Sequence, residues 1–351
     1  MIDSETKNEK AMGEKLVEDL KALGLEVKTD KAGEGFGSNG FNVCAYLPGT
    51  IPGEPTIMCA HMDTVTPGNG IKPLIDDGII HTDGSTILSG DDKSGIAAIM
   101  EAVKVIKEQN LPCRNTESLF TIGEEGGMNG VKNMDLSMIK GKEAMVFDAS
   151  GDVGKILTCG PGQIKIFATI IGRSSHAGLA PEEGISAIQV AAKGIAKMNL
   201  LRIDEETTCN IGTLKAEYAT NIVPEKAEFV AEVRSRNLDK LNTQAAHMQK
   251  CLQDACDEMG AKLEIELKTN YVSFNVANDD PMVQRVFESC KRIGCEPMTA
   301  KGGSDANVMA LHGIKPIVLS TGMTKVHTTG ETLKIENLNK CAELVLDLMT
   351  H

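Results

Sequence analysis

The sequence predicts an α/β protein with a doubly wound, mostly parallel sheet that is interrupted by a smaller α+β domain. Short apolar runs alternate with amphipathic helices up to residue 147, which is the order typical of such sheets. Residues 163–273 follow a different order, β-α-β-β-α-β. The length of 351 residues also exceeds what one hydrophobic core usually contains.

The first elements are predicted from the spacing of apolar residues. Residues at helical spacing predict helices over Ala11–Leu23, which Gly24 ends, and over Gly95–Glu108. Short apolar runs predict strands, which are Leu25–Lys28, Phe41–Leu47, Thr56–Ala60, Ser118–Ile122 and Glu143–Phe147. Their alternation with helices is the basis for a parallel sheet.

The middle of the chain predicts a ferredoxin-like unit. Its elements in order are strand Gln163–Ile171, helix Gly184–Met198, strands Thr207–Lys215 and Lys226–Arg236, helix Asp239–Met259 and strand Lys262–Lys268. The α/β order then resumes with helix Pro281–Ile293, strand Pro316–Leu319 and helix Ile335–Met349. We therefore predict a larger domain formed by residues 1–162 and 274–351, with an insert at residues 163–273.

Composition excludes several classes of function. The net charge of −13 repels nucleic acids and anionic lipids, and aromatic residues make up only 3%, with no Trp for stacking on bases. The sequence contains no long uncharged apolar stretch, so we expect no membrane span. The N-terminal segment is polar and unlike a signal peptide, and the ten cysteines form no C-x-x-C pair. We expect reduced cysteines in a cytoplasmic protein.

Histidines and carboxylates follow several of the predicted strands. His61 and Asp63 come after Thr56–Ala60, and Glu124 and Glu125 come one glycine after Ser118–Ile122. The remaining members are Asp148, His327 and the pair Asp91-Asp92 before a helix. Ligands of open α/β sheets bind outside the carboxyl ends of the strands, so we expect these side chains to converge.

The types of side chain indicate the metal. Two histidines with several carboxylates suit zinc or a related ion better than magnesium or calcium, which prefer oxygen ligands alone. Five candidate ligands are too many for one tetrahedral zinc with an open position, but they fit two ions joined by a bridging carboxylate.

Each piece also has an ordinary structural explanation. His61 and Asp63 could form a hydrogen-bonded pair, and Asp91 with its neighbours could cap a helix. Glu124 and Glu125 could lie in a solvated turn, Asp148 in an Asx turn, and His327 in an unremarkable loop. The argument for a metal site is that all of these would have to coincide at one edge of the sheet.

With these residues in place, the chain resembles the co-catalytic zinc peptidases that include carboxypeptidase G, acetylornithine deacetylase, succinyl-diaminopimelate desuccinylase and peptidase T. The resemblance runs from about Ser4 to the C-terminus. It is strongest for the shorter peptidase T-like members. The segments that carry it are GDDKSG, GRSSHAG, ATNIVPEKAEF, GGSDAN and VHTTGE.

The resemblance implies a role for each residue. Asp91 would bridge two zinc ions (or cobalt or manganese), His61 and Asp148 would complete one ion, and Glu125 and His327 the other. Glu124 would be the general base and Asp63 would orient His61. The family also implies a cis peptide bond between Asp91 and Asp92.

The insert resembles the lid domain of the same family. In the lid, His176 would stabilise the oxyanion, in some relatives across a homodimer. Asn221, Arg234 and Gly303 match positions that contact substrate. Arg234 would pair with a peptide carboxylate, and Arg236 on the same strand face is a rival.

The resemblance implies metal-dependent hydrolysis of short peptides by a tripeptidase-type aminopeptidase. An N-acyl amino acid deacylase or a carboxypeptidase of the family is the alternative, because all share the metal centre. Two alternatives lie outside the enzyme class. One is a non-catalytic peptide- or metal-binding protein, and the other is a structural interaction module.

Two departures from the family pattern bear on these expectations. Lys301 stands where peptidase T has arginine, which leaves tripeptide specificity open. The helix that precedes the IDSET segment in relatives is expected to be missing here.

Overall fold

The computed structural model describes residues 2–351 and divides the chain into two compact units. The large unit contains the residues up to Gly160 and Phe274–His351, and the small unit contains Pro161–Ser273.

The strands of the large unit belong to a main sheet and a small sheet. The main-sheet strands are β1 (Glu26–Thr29), β2 (Val43–Leu47), β3 (Ile51–His61), β6 (Arg114–Thr121), β7 (Glu143–Ala149), β8 (Lys155–Gly160), β14 (Phe274–Asn275), β15 (Met298–Lys301) and β16 (Lys315–Ser320). The small-sheet strands are β4 (Leu74–Asp76), β5 (Ile79–His81), β17 (Met323–Thr324) and β18 (Thr332–Lys334).

Parallel strands occupy the centre of the main sheet. Its order is β1-β2-β6-β3-β7-β16-β8-β14, with β15 also paired to β8. The neighbours β6-β3, β3-β7 and β7-β16 are parallel, whereas β1, β2 and β14 join through antiparallel pairs. The carboxyl ends of β3, β6, β7 and β16 therefore meet at one edge, as the sequence predicted.

The helices of the large unit pack on the buried strands. They are α1 (Lys10–Ala22), α2 (Gly90–Gln109), the short α3 (Asn129–Lys132), α6 (Pro281–Arg292), α7 (Asp305–Leu311) and α8 (Ile335–Thr350). Helix α2 buries Ile96, Ile99 and Val103 at helical spacing, and α8 buries Leu344, Val345 and Leu348. Central strands with both faces covered are nearly continuous in apolar residues, as Ile57–Ala60 illustrates.

The small unit has the strand order of a ferredoxin-like fold. Its strands are β9 (Gly162–Ile171), β10 (Leu201–Arg202), β11 (Thr207–Lys215), β12 (Lys226–Ser235) and β13 (Lys262–Tyr271), and its helices are α4 (Ala187–Ile195) and α5 (Leu238–Met259). The order β10-β11-β12-β9-β13 is antiparallel between all neighbours. Its core contains Ile166, Phe229 and Leu252, and the alternation along β12 leaves Arg234 on the open face.

The structure differs from the sequence prediction mainly at short or irregular elements. The pairs β4-β5 and β17-β18 and the strands β8, β10, β14 and β15 were not predicted, because runs of two to six residues carry little periodicity. Helix α2 begins at Gly90, before the predicted Gly95, although Asp91 and Asp92 have non-helical backbone angles.

The structure also shows the state of the cysteines and the length and hydropathy of the helices. All ten cysteines are buried, and none of them forms a disulfide within residues 2–351. In the same residues, no helix is both long enough and apolar enough to cross a membrane.

Candidate metal centre

His61 ends strand β3 and lies almost fully buried at the sheet edge. Its Nδ1 is 3.0 Å from the backbone oxygen of Asp63, to which it donates in the neutral form. That contact directs the Nε2 lone pair toward Asp91 Oδ1 at 3.1 Å and Asp148 Oδ1 at 3.6 Å. A histidine held in this way has the tautomer that a metal ligand needs.

Asp63 makes its main contacts with the glutamate pair. Its carboxylate lies 3.5 Å from His61 Nδ1, longer than the contact through its own carbonyl. It accepts hydrogen bonds from the backbone N–H groups of Glu124 at 2.9 Å and Glu125 at 3.2 Å, and from Thr6 Oγ1 at 2.8 Å. The side chain of Asp63 therefore fixes the backbone from which both glutamates project.

Asp91 lies between the two histidines. Its Oδ1 is 3.1 Å from His61 Nε2, and its Oδ2 is 3.1 Å from His327 Nε2. The peptide bond between Asp91 and Asp92 is cis, as the resemblance implies. Asp92 is fully buried and accepts from the backbone N–H groups of His61 at 3.1 Å and Gly95 at 3.2 Å, which ties the start of α2 to the end of β3.

Glu125 and His327 approach each other from distant parts of the chain. Glu125 follows β6 after Gly123, which has a left-handed φ of +62°, and its Oε1 is 2.8 Å from His327 Nε2. His327 lies in the loop between β17 and β18 with φ +61°. Glu125 Oε1 is buried and makes no hydrogen bond of good geometry among residues 2–351. Such an oxygen has a lone pair available for a cation.

Glu124, Asp148 and Gly303 line the same cavity of about 310 Å³. A β-carbon on Gly303 would come within 2.4 Å of Asn307 Oδ1, so this position requires glycine. The cavity lining as a whole is Asp91, Glu124, Glu125, Asp148, Ala149, Ser150, Lys155, Leu157, Lys301, Gly302, Gly303, Met323, Val326 and His327.

The electrostatics of this cavity are those of a site built for cations. Burial raises the pKa of Glu125 and of Asp148 to about 7 and raises the pKa of Glu124 as well. Hydrogen bonding to Asp91 raises the pKa of His327 to about 9. Burial opposes charging of His61, but the carboxylates of Asp148, Asp63 and Asp91 outweigh it and raise its pKa. In the metal-free protein these neighbouring side chains therefore retain protons at neutral pH. A bound metal ion would displace those protons.

Two combinations of side chains could each hold an ion. His61, Glu124 and Asp148 form one, and His61, Asp91 and Glu125 form the other; within each, the ligand atoms lie within 4.8 Å of one another. His327 adjoins the second set through Asp91 and Glu125. Nitrogen and carboxylate oxygen donors in a buried acidic cavity fit zinc-like divalent ions.

The remaining sequence-predicted residues belong to the small unit. His176 is exposed, and its Nδ1 accepts from the backbone N–H groups of Gly178 at 3.1 Å and Leu179 at 3.2 Å. The proton of the neutral ring is therefore on Nε2, which is free to donate. Asn221 lies beside it, since its carbonyl accepts from Ala177 N at 2.9 Å.

Arg234 lies far from His176 within the small unit. It pairs with Gln163 at the start of β9, whereas His176 comes after the end of β9 at Ile171. The ten residues of β9 span about 30 Å. The guanidinium is held by Glu232, with Nε at 2.8 Å and Nη2 at 3.2 Å from its two carboxylate oxygens.

Sequence reasoning missed two buried acids near the centre. Asp305 is almost fully buried and accepts from Thr121 Oγ1 at 2.6 Å, and burial raises its pKa to about 6. Glu331 accepts backbone hydrogen bonds next to Asp91. Asp305 occurs in the segment GGSDAN and Glu331 in VHTTGE, but neither residue directly follows a predicted strand or directly precedes a predicted helix.

Comparison with known proteins decides the family. Residues 57–351 match the model described as Peptidase family M20/M25/M40, which is most of the chain. The chain belongs to this peptidase family. It is therefore a peptidase, an enzyme of the hydrolase class.

Members of the family with solved structures match nearly the whole chain. An aminopeptidase PepT from Bacillus cereus is 43% identical with a TM-score of 0.92, and a tripeptidase from Staphylococcus aureus is 38% identical with a TM-score of 0.90. Each match covers 99% of this chain and 94% of the other. The Bacillus subtilis protein YqjE is 41% identical over 99% of this chain and 94% of its own length, and Peptidase T of Pasteurella multocida is 26% identical over 88% and 84%.

The pKa shifts predict that the metal-free protein loses stability as the pH rises from about 5 to about 9. Glu125, Asp148 and His327 all have raised pKa values and so bind more protons folded than unfolded in this window. Their stabilising effect is complete at low pH and is lost as the pH passes about 7 and then about 9. Thermal denaturation of the chelator-treated protein across this range measures the effect.

The same protein with a saturating divalent metal ion serves as the control, because a bound cation would displace these protons and the melting temperature should then not show this decline. A metal-free protein that gains stability with rising pH across the window would contradict the assignment of these pKa shifts.

Proposed function

We propose that the protein is a tripeptidase-type aminopeptidase that removes the N-terminal residue of short peptides with the help of two zinc ions. The observation that carries the proposal is the position of Asp91. Its Oδ1 lies 3.1 Å from His61 Nε2 and its Oδ2 lies 3.1 Å from His327 Nε2. A second acid, Glu124, lines the same cavity. The names of the B. cereus and S. aureus relatives support the choice of substrate class.

The proposed metal ligands are those that the resemblance to the family implies. Asp91 would bridge both ions, His61 and Asp148 would bind one of them, and Glu125 and His327 the other. The buried Oε1 of Glu125, which lies 2.8 Å from His327 Nε2 but forms no hydrogen bond of good geometry among residues 2–351, and the raised pKa values of the neighbouring acids support a doubly charged occupant. Bound there, the ions would acidify a water molecule and polarise the scissile carbonyl.

Glu124 acts as the general base in this proposal. Its backbone is fixed by Asp63, its carboxylate lines the cavity, and burial raises its pKa above the usual value of a glutamate. It would take the proton of the attacking water and pass it to the leaving amine. His176 would donate from Nε2 to the oxyanion.

The small unit would act as a lid and as a contact between two copies of the chain. A tripeptide spans about 10 Å, so one substrate molecule cannot contact both residues of the same small unit, since Arg234 lies beside the start of β9 and His176 lies past its end. If both residues act on one substrate, they come from different chains. This supports a homodimer formed through residues 163–273. A cytoplasmic location is proposed separately, from the polar N-terminal segment and the ten buried cysteines without a disulfide among residues 2–351.

The functional assignment is tested with one tripeptide in three forms: free, N-acetylated and C-amidated. We expect release of the N-terminal residue from the free peptide and none from the acetylated one, because an aminopeptidase requires the free amine. Arg234→Ala should raise KM for the free acid about tenfold or more and leave the C-amide unchanged. Mass spectrometry of the products measures each rate.

Arg236→Ala is the matched control, since Arg236 follows Arg234 by two residues and makes its own contact with the backbone oxygen of Glu205 at 3.0 Å. Faster cleavage of the acetylated peptide than of the free one would instead identify a deacylase, and release of the C-terminal residue a carboxypeptidase.

Replacement of the base should separate catalysis from metal binding. We expect Glu124→Gln to lower kcat by about 10²–10⁴-fold, because the substituted amide cannot accept a proton. The zinc content should stay near the wild-type value, since the variant keeps the shape of the side chain. Steady-state kinetics with elemental analysis of the same sample tests this, with Glu14→Gln on the exposed face of α1 as the control.

Active sites shared between chains predict complementation. Glu124→Gln and His176→Ala should each be nearly inactive, but dissociating, mixing and reassociating them should restore activity up to about a quarter of wild type, because the statistical mixture contains mixed dimers with one intact site. Activity that stays at the level of the two single variants after subunit exchange, verified by mass spectrometry of the dimers, would show that His176 acts within its own chain.

A further inference from the structure

We infer that Glu331 is a positioning residue that holds the Asp91 segment in place for metal binding. Glu331 follows His327 by four residues and its side chain is almost fully buried. Its Oε2 accepts from the backbone N–H groups of Leu88 at 3.0 Å and Ser89 at 2.8 Å, and its Oε1 accepts from Asp91 N at 2.9 Å. This inference rests on the proposed metal centre.

The three amides need an acceptor from elsewhere in the chain. They lie at the start of α2, where backbone N–H groups have no partner within the helix. Ser89, the residue before the helix, adopts a left-handed φ of +60°, and its side chain accepts no capping hydrogen bond among the described residues. The carboxylate of Glu331 takes over this capping function from a position 240 residues further along the chain.

The surroundings are adapted to this contact. A β-carbon on Gly90 would lie 3.0 Å from Glu331 Oε1, so glycine lets the carboxylate approach the backbone. The ammonium group of Lys93 donates to Ser89 Oγ at 2.9 Å and supplies a positive charge on the same turn. Both residues belong to the segment GDDKSG that the sequence analysis singled out.

The consequence is a mechanical link between two proposed metal ligands. The segment 327–331 presents His327 at one end and Glu331 at the other, and Glu331 binds the backbone of Asp91. His327 Nε2 and Asp91 Oδ2 are 3.1 Å apart. Loss of the Glu331 contacts would therefore loosen the bridging aspartate and the histidine together, although Glu331 itself touches neither ion.

The test compares Glu331→Gln and Glu331→Ala with the wild-type full-length chain. In Glu331→Ala we expect exchange of the Leu88, Ser89 and Asp91 amide protons to accelerate at least tenfold. We also expect the zinc dissociation constant to rise by about 10–100-fold, the usual effect of losing a group that supports metal ligands. Amide exchange resolved to single residues and a chelator competition assay measure the two effects.

Glu331→Gln gives a sharper expectation. Its single carbonyl oxygen should stay on the two donors Leu88 and Ser89, so its NH₂ group turns toward the backbone N–H of Asp91. Exchange should therefore accelerate at Asp91 while Leu88 and Ser89 stay protected. If Glu331→Ala fails to fold, this pattern in Glu331→Gln decides the question.

Glu117 provides the matched control. It is also a buried glutamate that accepts backbone hydrogen bonds, from Lys140 N at 2.8 Å and Gly141 N at 2.9 Å. It lies four residues before Thr121 on β6, about 13 Å from the carboxyl edge of the sheet. Glu117→Ala should expose its own amides to exchange and leave residues 88–91 and zinc affinity unchanged.

Wild-type protection at residues 88–91 in both Glu331 variants would overturn the inference, as would unchanged zinc affinity when that protection is lost. An equal loss of zinc affinity in Glu117→Ala would reduce the effect to general stability and also overturn it. Failure of the wild-type chain to bind zinc would contradict the proposed metal centre, whereas the exchange data of the metal-free chain would still report on the Glu331 contacts.

Discussion

Concentrated negative charge at one buried edge of the sheet is the constraint on which the rest of the large unit depends. Asp63, Asp91, Asp92, Glu124, Glu125, Asp148, Asp305 and Glu331 all lie there, buried or half-buried. Like charges removed from water are costly unless each is hydrogen-bonded, paired or protonated. The local structure of this edge is therefore determined by how each carboxylate is hydrogen-bonded, paired or protonated.

Six of these eight acids fall into two groups according to their partners. Asp63, Asp92 and Glu331 each accept at least two backbone N–H groups, and each of the three carboxylates binds a segment that is at least 31 residues away in the chain. Glu124, Glu125 and Asp148 instead line the open cavity, and burial raises their pKa values. The first group orders the backbone at this edge, whereas the side chains of the second group face the cavity.

The small unit holds its polar side chains in a different way. Helices cover one face of its antiparallel sheet and leave the other face exposed. Polar side chains such as Arg234 lie on that exposed face. Glu232 holds the guanidinium of Arg234 in a fixed orientation, while the loop around His176 fixes the ring through two backbone donors.

Much of this arrangement can be read from the chain alone. Periodicity located the long helices and central strands because burial on one face or both imposes it, and the position of His61, Glu124, Glu125 and Asp148 after strands placed them at one edge. Even the exchange from a parallel to an antiparallel order near residue 162 followed from the sequence of elements.

Only the tertiary structure decided which acid contacts which partner. Asp63 reaches the backbone of Glu124 and Glu125, His61 is oriented by a carbonyl oxygen, and Glu331 caps a helix 240 residues away. Backbone amides look alike in every sequence, so a carboxylate that binds them carries no local signal. The sequence by itself therefore determined which types of side chain are available at this edge of the sheet. The tertiary structure decided which distant segments form the hydrogen bonds that hold those side chains in place.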